Sequence, residues 1–97
     1  MTYSLLRILV EDFDRFKAVF DSNAAVRADK GCRGARIFRT RGAENEVHVL
    51  LEWDTPSGPW ELYLRDSDTI AGKMREGTVI EGSLHLYFLD LVAESPS

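Results

Sequence analysis

The chain is poor in several things, and each shortage removes a class of protein. It has one cysteine, Cys32, in 97 residues. No disulfide and no thiolate metal cluster can therefore form within one chain, which fits a reducing cytoplasm, the location we expect. Long hydrophobic runs are missing. The N-terminal MTYSLLRILVEDFD meets acids after a few apolar residues, too early for a secretory signal, and nothing approaches the length of a membrane span. Positive charge is also short: the net charge is -4, the pI is near 5.1, and the basic residues are scattered. No stripe tracks a phosphate backbone, so neither nucleic acid nor a membrane is an expected partner.

What is present suits an ordinary globular domain. The chain is 44% hydrophobic and 29% charged, enough to build a core, and its length allows one domain. We expect that domain over residues 1–92, with 93–97 (AESPS as it leaves the last strand) as a flexible tail. A domain this small buries a modest fraction of its surface, so self-association is a natural way to bury more.

Ser4 to Val10 (SLLRILV) reads as a strand. Asp12 then stands where an N-cap belongs, and Phe13, Phe16, Phe20 and Ala24 follow at helical spacing until Gly31 supplies a stop. Ala35–Arg41 and Glu46–Trp53 read as strands joined by a loop, GAEN. After the breaker cluster TPSGP, Trp60, Tyr63, Leu64, Ser67, Ile70, Ala71 and Met74 recur at three- and four-residue steps, with a bend or break suggested by Asp66, Ser67 and Gly72. Ser83–Leu91 (SLHLYFLDL) reads as the last strand.

The order β-α-β-β-α-β is the ferredoxin-like α+β arrangement, an antiparallel sheet ordered 4-1-3-2 with both helices on one face. The other face would carry Leu5, Leu9, Leu50, Tyr87 and Leu89. An apolar face of that kind calls for a partner, and face-to-face packing of two sheets in a homodimer is the simplest one.

Strand parity sorts the polar residues. Val47, Val49, Leu51 and Trp53 point to the helices, while His48 and Glu52 point to the open face with Arg7, Arg36, His85 and Tyr87. Such a set has the groups for acid and base work. Its plainer reading is an Arg7–Glu52 ion pair fixing the dimer's register, with the histidines as hydrogen-bonding groups. A metal triad of His48, His85 and Glu52 meets a geometric objection, because the histidines lie on strands separated by a third, roughly 9–10 Å apart. On the first helix, Asn23 and Arg27 are one turn apart and project from the same side as Phe16 and Phe20. They face the space between helix and sheet, unless Arg27 snorkels to water and Asn23 caps a neighbouring carbonyl.

DFDRFKAVFDSN, GARIFR from Gly34, VHVLLEWD and HLYFLD together resemble the dimeric α+β barrel superfamily that includes the antibiotic-biosynthesis monooxygenases. The resemblance covers nearly the whole chain and consists of aromatic and apolar patterning rather than catalytic signatures. It implies two ferredoxin-like sheets packed as a dimeric barrel and a small aromatic ligand held between helix and sheet, walled here by Asn23, Arg27, Trp53, Tyr63 and Met74. It implies a cofactor-independent monooxygenase or cyclase acting on a phenolic or polyketide-like substrate, with no cofactor and no metal. A noncatalytic ligand-binding or interaction protein of the same dimeric fold is the alternative. Haem-degrading members of the superfamily carry a tryptophan and a haem-ligating histidine on the second helix, where this chain has Tyr63 and Met74. Many similar sequences carry a histidine late in the first helix, where this chain has Asn23. No catalytic residue is assigned.

Overall fold

The computed structural model describes residues 2–96. Four strands form one antiparallel sheet: β1 (Thr2–Leu9), β2 (Cys32–Thr40), β3 (Ala43–Trp53) and β4 (His85–Asp90), in the spatial order β2-β3-β1-β4. The helices are α1 (Phe13–Ser22), α2 (Ala24–Asp29), α3 (Ser57–Trp60) and α4 (Ser67–Glu76), with a π-helical turn over Glu61–Arg65 between the last two. This is the expected ferredoxin-like topology, and the hairpin register pairs Phe38 with His48 and Arg36 with Leu50 as parity predicts.

Alternation along the strands decides what is core. Leu6, Ile8, Val47, Val49, Leu51 and Trp53 are buried on the helix-covered face with Phe16, Leu62 and Tyr63. Ser4 is buried among them because its hydroxyl accepts the Trp53 indole N–H at 3.0 Å, which satisfies both polar groups. The opposite face keeps Leu5, Leu9 and Leu50 half-buried and leaves Phe38, Tyr87 and Leu89 exposed.

Asp12 caps α1 as expected, its carboxylate accepting the Arg15 N–H at 3.1 Å. The same residue is clasped from α4's exit, where Thr78 Oγ1 accepts the Asp12 N–H at 3.0 Å and donates to the Asp12 carbonyl at 3.1 Å. Thr78 holds a left-handed φ of 62° to do so.

Three expectations need correction. The first helix is not continuous to Gly31: it breaks at Asn23 (φ -98°, ψ 9°), and α2 follows directly from Ala24. Asparagine is a poor helix former, and the apolar stripe has ended there. GAEN is not a loop, since only Arg41 and Gly42 turn and β3 already begins at Ala43. Gly42 supplies the φ of +89° that so tight a turn needs. Finally, Trp60 and Leu64 do not belong to the inward stripe but are about half exposed, while Leu62 is buried. The π turn, closed by Asp66 N–H to the Glu61 carbonyl at 3.0 Å, holds an extra residue and shifts the helical phase.

Candidate functional site

α1 and α4 run antiparallel over the sheet. At one end Arg15 Nε donates to the Glu76 carbonyl at 3.1 Å and Gly77 lies against Phe16. At the other end Lys30 Nζ pairs with Asp66 at 3.3 Å. The helices do not close fully between these points, and a cavity of about 70 Å³ remains above the sheet. Leu6, Ile8 and Val49 form its floor. Phe16, Val19 and Phe20 form one wall, and Leu62, Tyr63, Ile70 and Met74 the other. Its polar groups are Asn23, Arg27 and Lys73.

Several waters fit such a volume, since one needs only about 10–15 Å³. A small-molecule pocket usually begins near 300 Å³. An aromatic occupant therefore requires α1 and α4 to part or side chains to swing aside, and Met74, unbranched and half-buried, is suited to yielding.

Arg27 is the unusual member. It is 8% exposed, lies with its guanidinium carbon 3.7 Å from the Phe20 ring centroid, and donates from Nη1 to the Phe20 carbonyl at 2.9 Å. That carbonyl stands at the negative end of α1, where a cation is favoured. Arg27 lies seven residues after Phe20, beyond the break at Asn23, and its side chain reaches back over the end of α1. Arg27 does not snorkel to water. Burial lowers its pKa, with the thiol of Cys32, the phenol of Tyr63 and the carboxylate of Asp21 opposing that shift; an arginine stays charged regardless. Among the described residues, no carboxylate lies within 4 Å of it.

Of the five residues expected at this site, Asn23, Arg27, Tyr63 and Met74 line the cavity. Trp53 does not. It is fully buried under the π turn, packed edge-on against Tyr63 with centroids 6.4 Å apart, and so supports the wall from behind. Burial pushes the Tyr63 phenol well above its ordinary range, and the nearby Ser4 hydroxyl and Arg27 offset only part of that. Tyr63 is therefore neutral and able to donate. Asn23 makes no side-chain cap hydrogen bond at the start of α2. Leu62 and Lys73 were not legible as site residues: Leu62 is out of helical phase, and Lys73 has the sequence context of any solvated lysine.

On the open face, Arg7 pairs with Glu46 rather than Glu52, at 2.8 Å from Nη2 and 2.9 Å from Nε, and donates to the Ser83 carbonyl at 3.2 Å. Glu46 also accepts from Thr40 Oγ1 at 2.6 Å, and Thr40 lies 3.4 Å from His48 Nδ1. The Thr40 hydrogen bond, followed by that from Arg7, holds the Glu46 carboxyl below its ordinary range. Glu52 is displaced because it stands opposite Tyr3 and Gly34, well along β3 from Arg7. There it borders, with Tyr3, Arg36 and Leu50, a depression of about 320 Å³. His48 and His85 flank Arg7 on its two neighbouring strands, and Tyr87 stands opposite Leu5. Among the described residues no three His, Cys, Asp or Glu side chains gather as a metal-binding group.

A four-stranded antiparallel sheet ordered β2-β3-β1-β4 and roofed by helices on one face is a ferredoxin-like α+β domain. No family model and no curated protein matches the chain. Solved structures do. SnoaB, a cofactor-independent oxygenase from Streptomyces nogalater, superposes with a TM-score of 0.75 at 17% identity, over 99% of this chain and 97% of that one. A candidate antibiotic biosynthesis monooxygenase from Bordetella bronchiseptica gives 0.74 at 16% identity, over 95% and 97%. Another from Caulobacter crescentus gives 0.70 at 23% identity, over 95% and 90%. At these identities the likeness is one of fold. No helix among the described residues is long and apolar enough to cross a membrane.

Proposed function

We propose that the protein is a small-molecule enzyme of aromatic or secondary metabolism, a cofactor-independent monooxygenase or cyclase acting on a phenolic or polyketide-like substrate. The observation that carries this reading is Arg27, a cation buried without a carboxylate partner on the wall of an otherwise apolar, aromatic cavity. A charge kept out of water is costly unless something compensates it, and a bound phenolate would do so. Arg27 stabilises the phenolate oxygen, and Asn23 hydrogen-bonds a second oxygen. The electron-rich ring then reacts directly with dioxygen, gaining one oxygen atom and giving up its phenolic and ring hydrogens to the other as water, so that the substrate itself supplies the electrons and becomes a quinone; in a cyclase it closes on itself instead. The solved oxygenase of the same fold supports this reading by analogy.

The functional unit in this proposal is a homodimer joined through the open sheet faces. Phe38, Tyr87 and Leu89 stand exposed there beside half-buried Leu5, Leu9 and Leu50, apolar side chains on one open sheet face of the kind that marks an interface. The Arg7–Glu46–Thr40 network then sets the register of the two sheets. Oxygen uptake with polyphenol substrates tests the enzymatic reading. Turnover that falls in Asn23→Ala and Arg27→Ala supports it; a ligand-binding protein without turnover would instead show thermal shifts with those ligands and no oxygen consumption.

A further inference from the structure

Two cationic residues and no acidic one line the cavity, Arg27 beside Phe20 and Lys73 on the turn of α4 that lies beside Phe16. Arg27 stacks on Phe20, at the end of α1 where α2 and the π turn meet the sheet. Lys73 belongs to the turn of α4 whose backbone lies beside Phe16: a methyl group built on Gly77 would meet the Lys73 carbonyl at 3.4 Å and Phe16 Cα at 3.5 Å. Phe16 and Phe20 are one helical turn apart with ring centroids separated by 5.8 Å. The aromatic wall they form is thus about one helical turn long, the scale of a single aromatic ring.

The two ends differ in wetness. Arg27 is buried, whereas Lys73 is half-buried and its ammonium reaches Glu76 at 3.3 Å, with both side chains near half exposure. An exposed pair of that kind contributes little, so Lys73 can turn to a ligand at small cost. No acidic side chain lines the cavity, and among the described residues Glu76 at Lys73 is the only carboxylate within 4 Å of either cation.

Resting on the reading above, we propose that the ligand is an aromatic acid with a hydroxyl and a carboxylate at opposite ends, its phenol oxygen at Arg27 and its carboxylate at Lys73. The weaker acid takes the dry end, where the buried guanidinium favours the phenolate. The carboxylate, harder to desolvate, keeps the wet end. Lys73 is then the residue that selects acids from neutral phenols.

Calorimetric titration of the intact protein with toluene, phenol, benzoate, para-hydroxybenzoate and the longer para-hydroxycinnamate tests this. At least one hydroxy acid is expected to bind about tenfold or more tightly than phenol, the gain of one charge-assisted contact. Lys73→Met should cancel that preference and Lys73→Arg restore it, with melting curves verifying that both variants fold. Hydroxy acids that bind no better than phenol, or a preference that survives Lys73→Met, would overturn the assignment. If toluene and phenol bind while the acids gain nothing, the cavity remains a phenol site and only the two-ended ligand is lost. If no compound binds, the cavity reading falls with it.

Discussion

The guanidinium of Arg27 is bound twice to one residue: it stacks on the Phe20 ring at 3.7 Å and donates to the Phe20 carbonyl at 2.9 Å. One N–H of its fork serves as a cap for α1, and the rest of the group lies on the cavity wall. The two roles separate by substitution. Arg27→Met keeps an apolar stem against Phe20, and the Asn23 N–H still reaches the same carbonyl at 3.2 Å. The expected loss of stability is within about 1 kcal/mol. Affinity for anionic aromatics should fall by about one to two orders of magnitude, as expected for a lost charged hydrogen bond. Paired melting and titration experiments check both; a variant that fails to fold would mean that capping is the whole role of Arg27.

Gly58 lets α3 lie close against Trp53 at the end of β3. A Cβ there would collide with the Lys30 carbonyl and approach Trp53 Cε3 to 2.7 Å. The obstacles are backbone and a fully buried indole, and neither can yield cheaply. Gly58→Ala should therefore cost about 2–3 kcal/mol and move Tyr63, which rests on Trp53. Denaturant unfolding measures the first effect, and loss of ligand-induced thermal shift reports the second.

Acid sensitivity should run through Glu46. Its pKa is held below the ordinary value by Thr40 and Arg7, so the unfolded chain binds the proton more readily than the native protein. The associated stability is present above the ordinary glutamate range and is lost as pH falls through the depressed native value. Glu46→Gln should flatten the acid limb of melting temperature against pH while leaving the neutral region lower by a constant offset. An acid limb as steep as that of the wild type would remove Glu46 from this role.

The open face makes its own prediction. Phe38→Glu places a charge beside His48 on a surface we propose to be covered by a second sheet, and burial of an unpaired charge is strongly unfavourable. Light scattering should show a dimer for the wild type and a monomer for Phe38→Glu. A wild-type monomer at micromolar concentration would refute the dimer.

Much of the scaffold was legible because period-two and period-3.6 patterns survive folding. Ile8, Val47, Val49 and Leu51 declared their side of the sheet, and the pairing of Phe38 with His48 followed from hairpin parity. What escaped depends on departures from those periods. The π turn carries an extra residue, so Leu62 could not be placed, and Trp60 and Leu64 were assigned the wrong face. The break at Asn23 escaped too, although the inward side of Arg27 beyond it was already readable from spacing. Glu46 was missed as the partner of Arg7 because parity tells which face a residue occupies and not which neighbour along it a long side chain will reach.

Absorbance titration with para-nitrophenol, below the pH at which the free dye ionises, tests most directly whether the buried cation receives a phenolate. Binding beside Arg27 should generate the yellow phenolate band in the wild type, because an adjacent cation lowers the pKa of an acid, and Arg27→Met should bind the dye without colour. No band on saturating the wild type, or the same band in Arg27→Met, would contradict a phenolate site in this cavity.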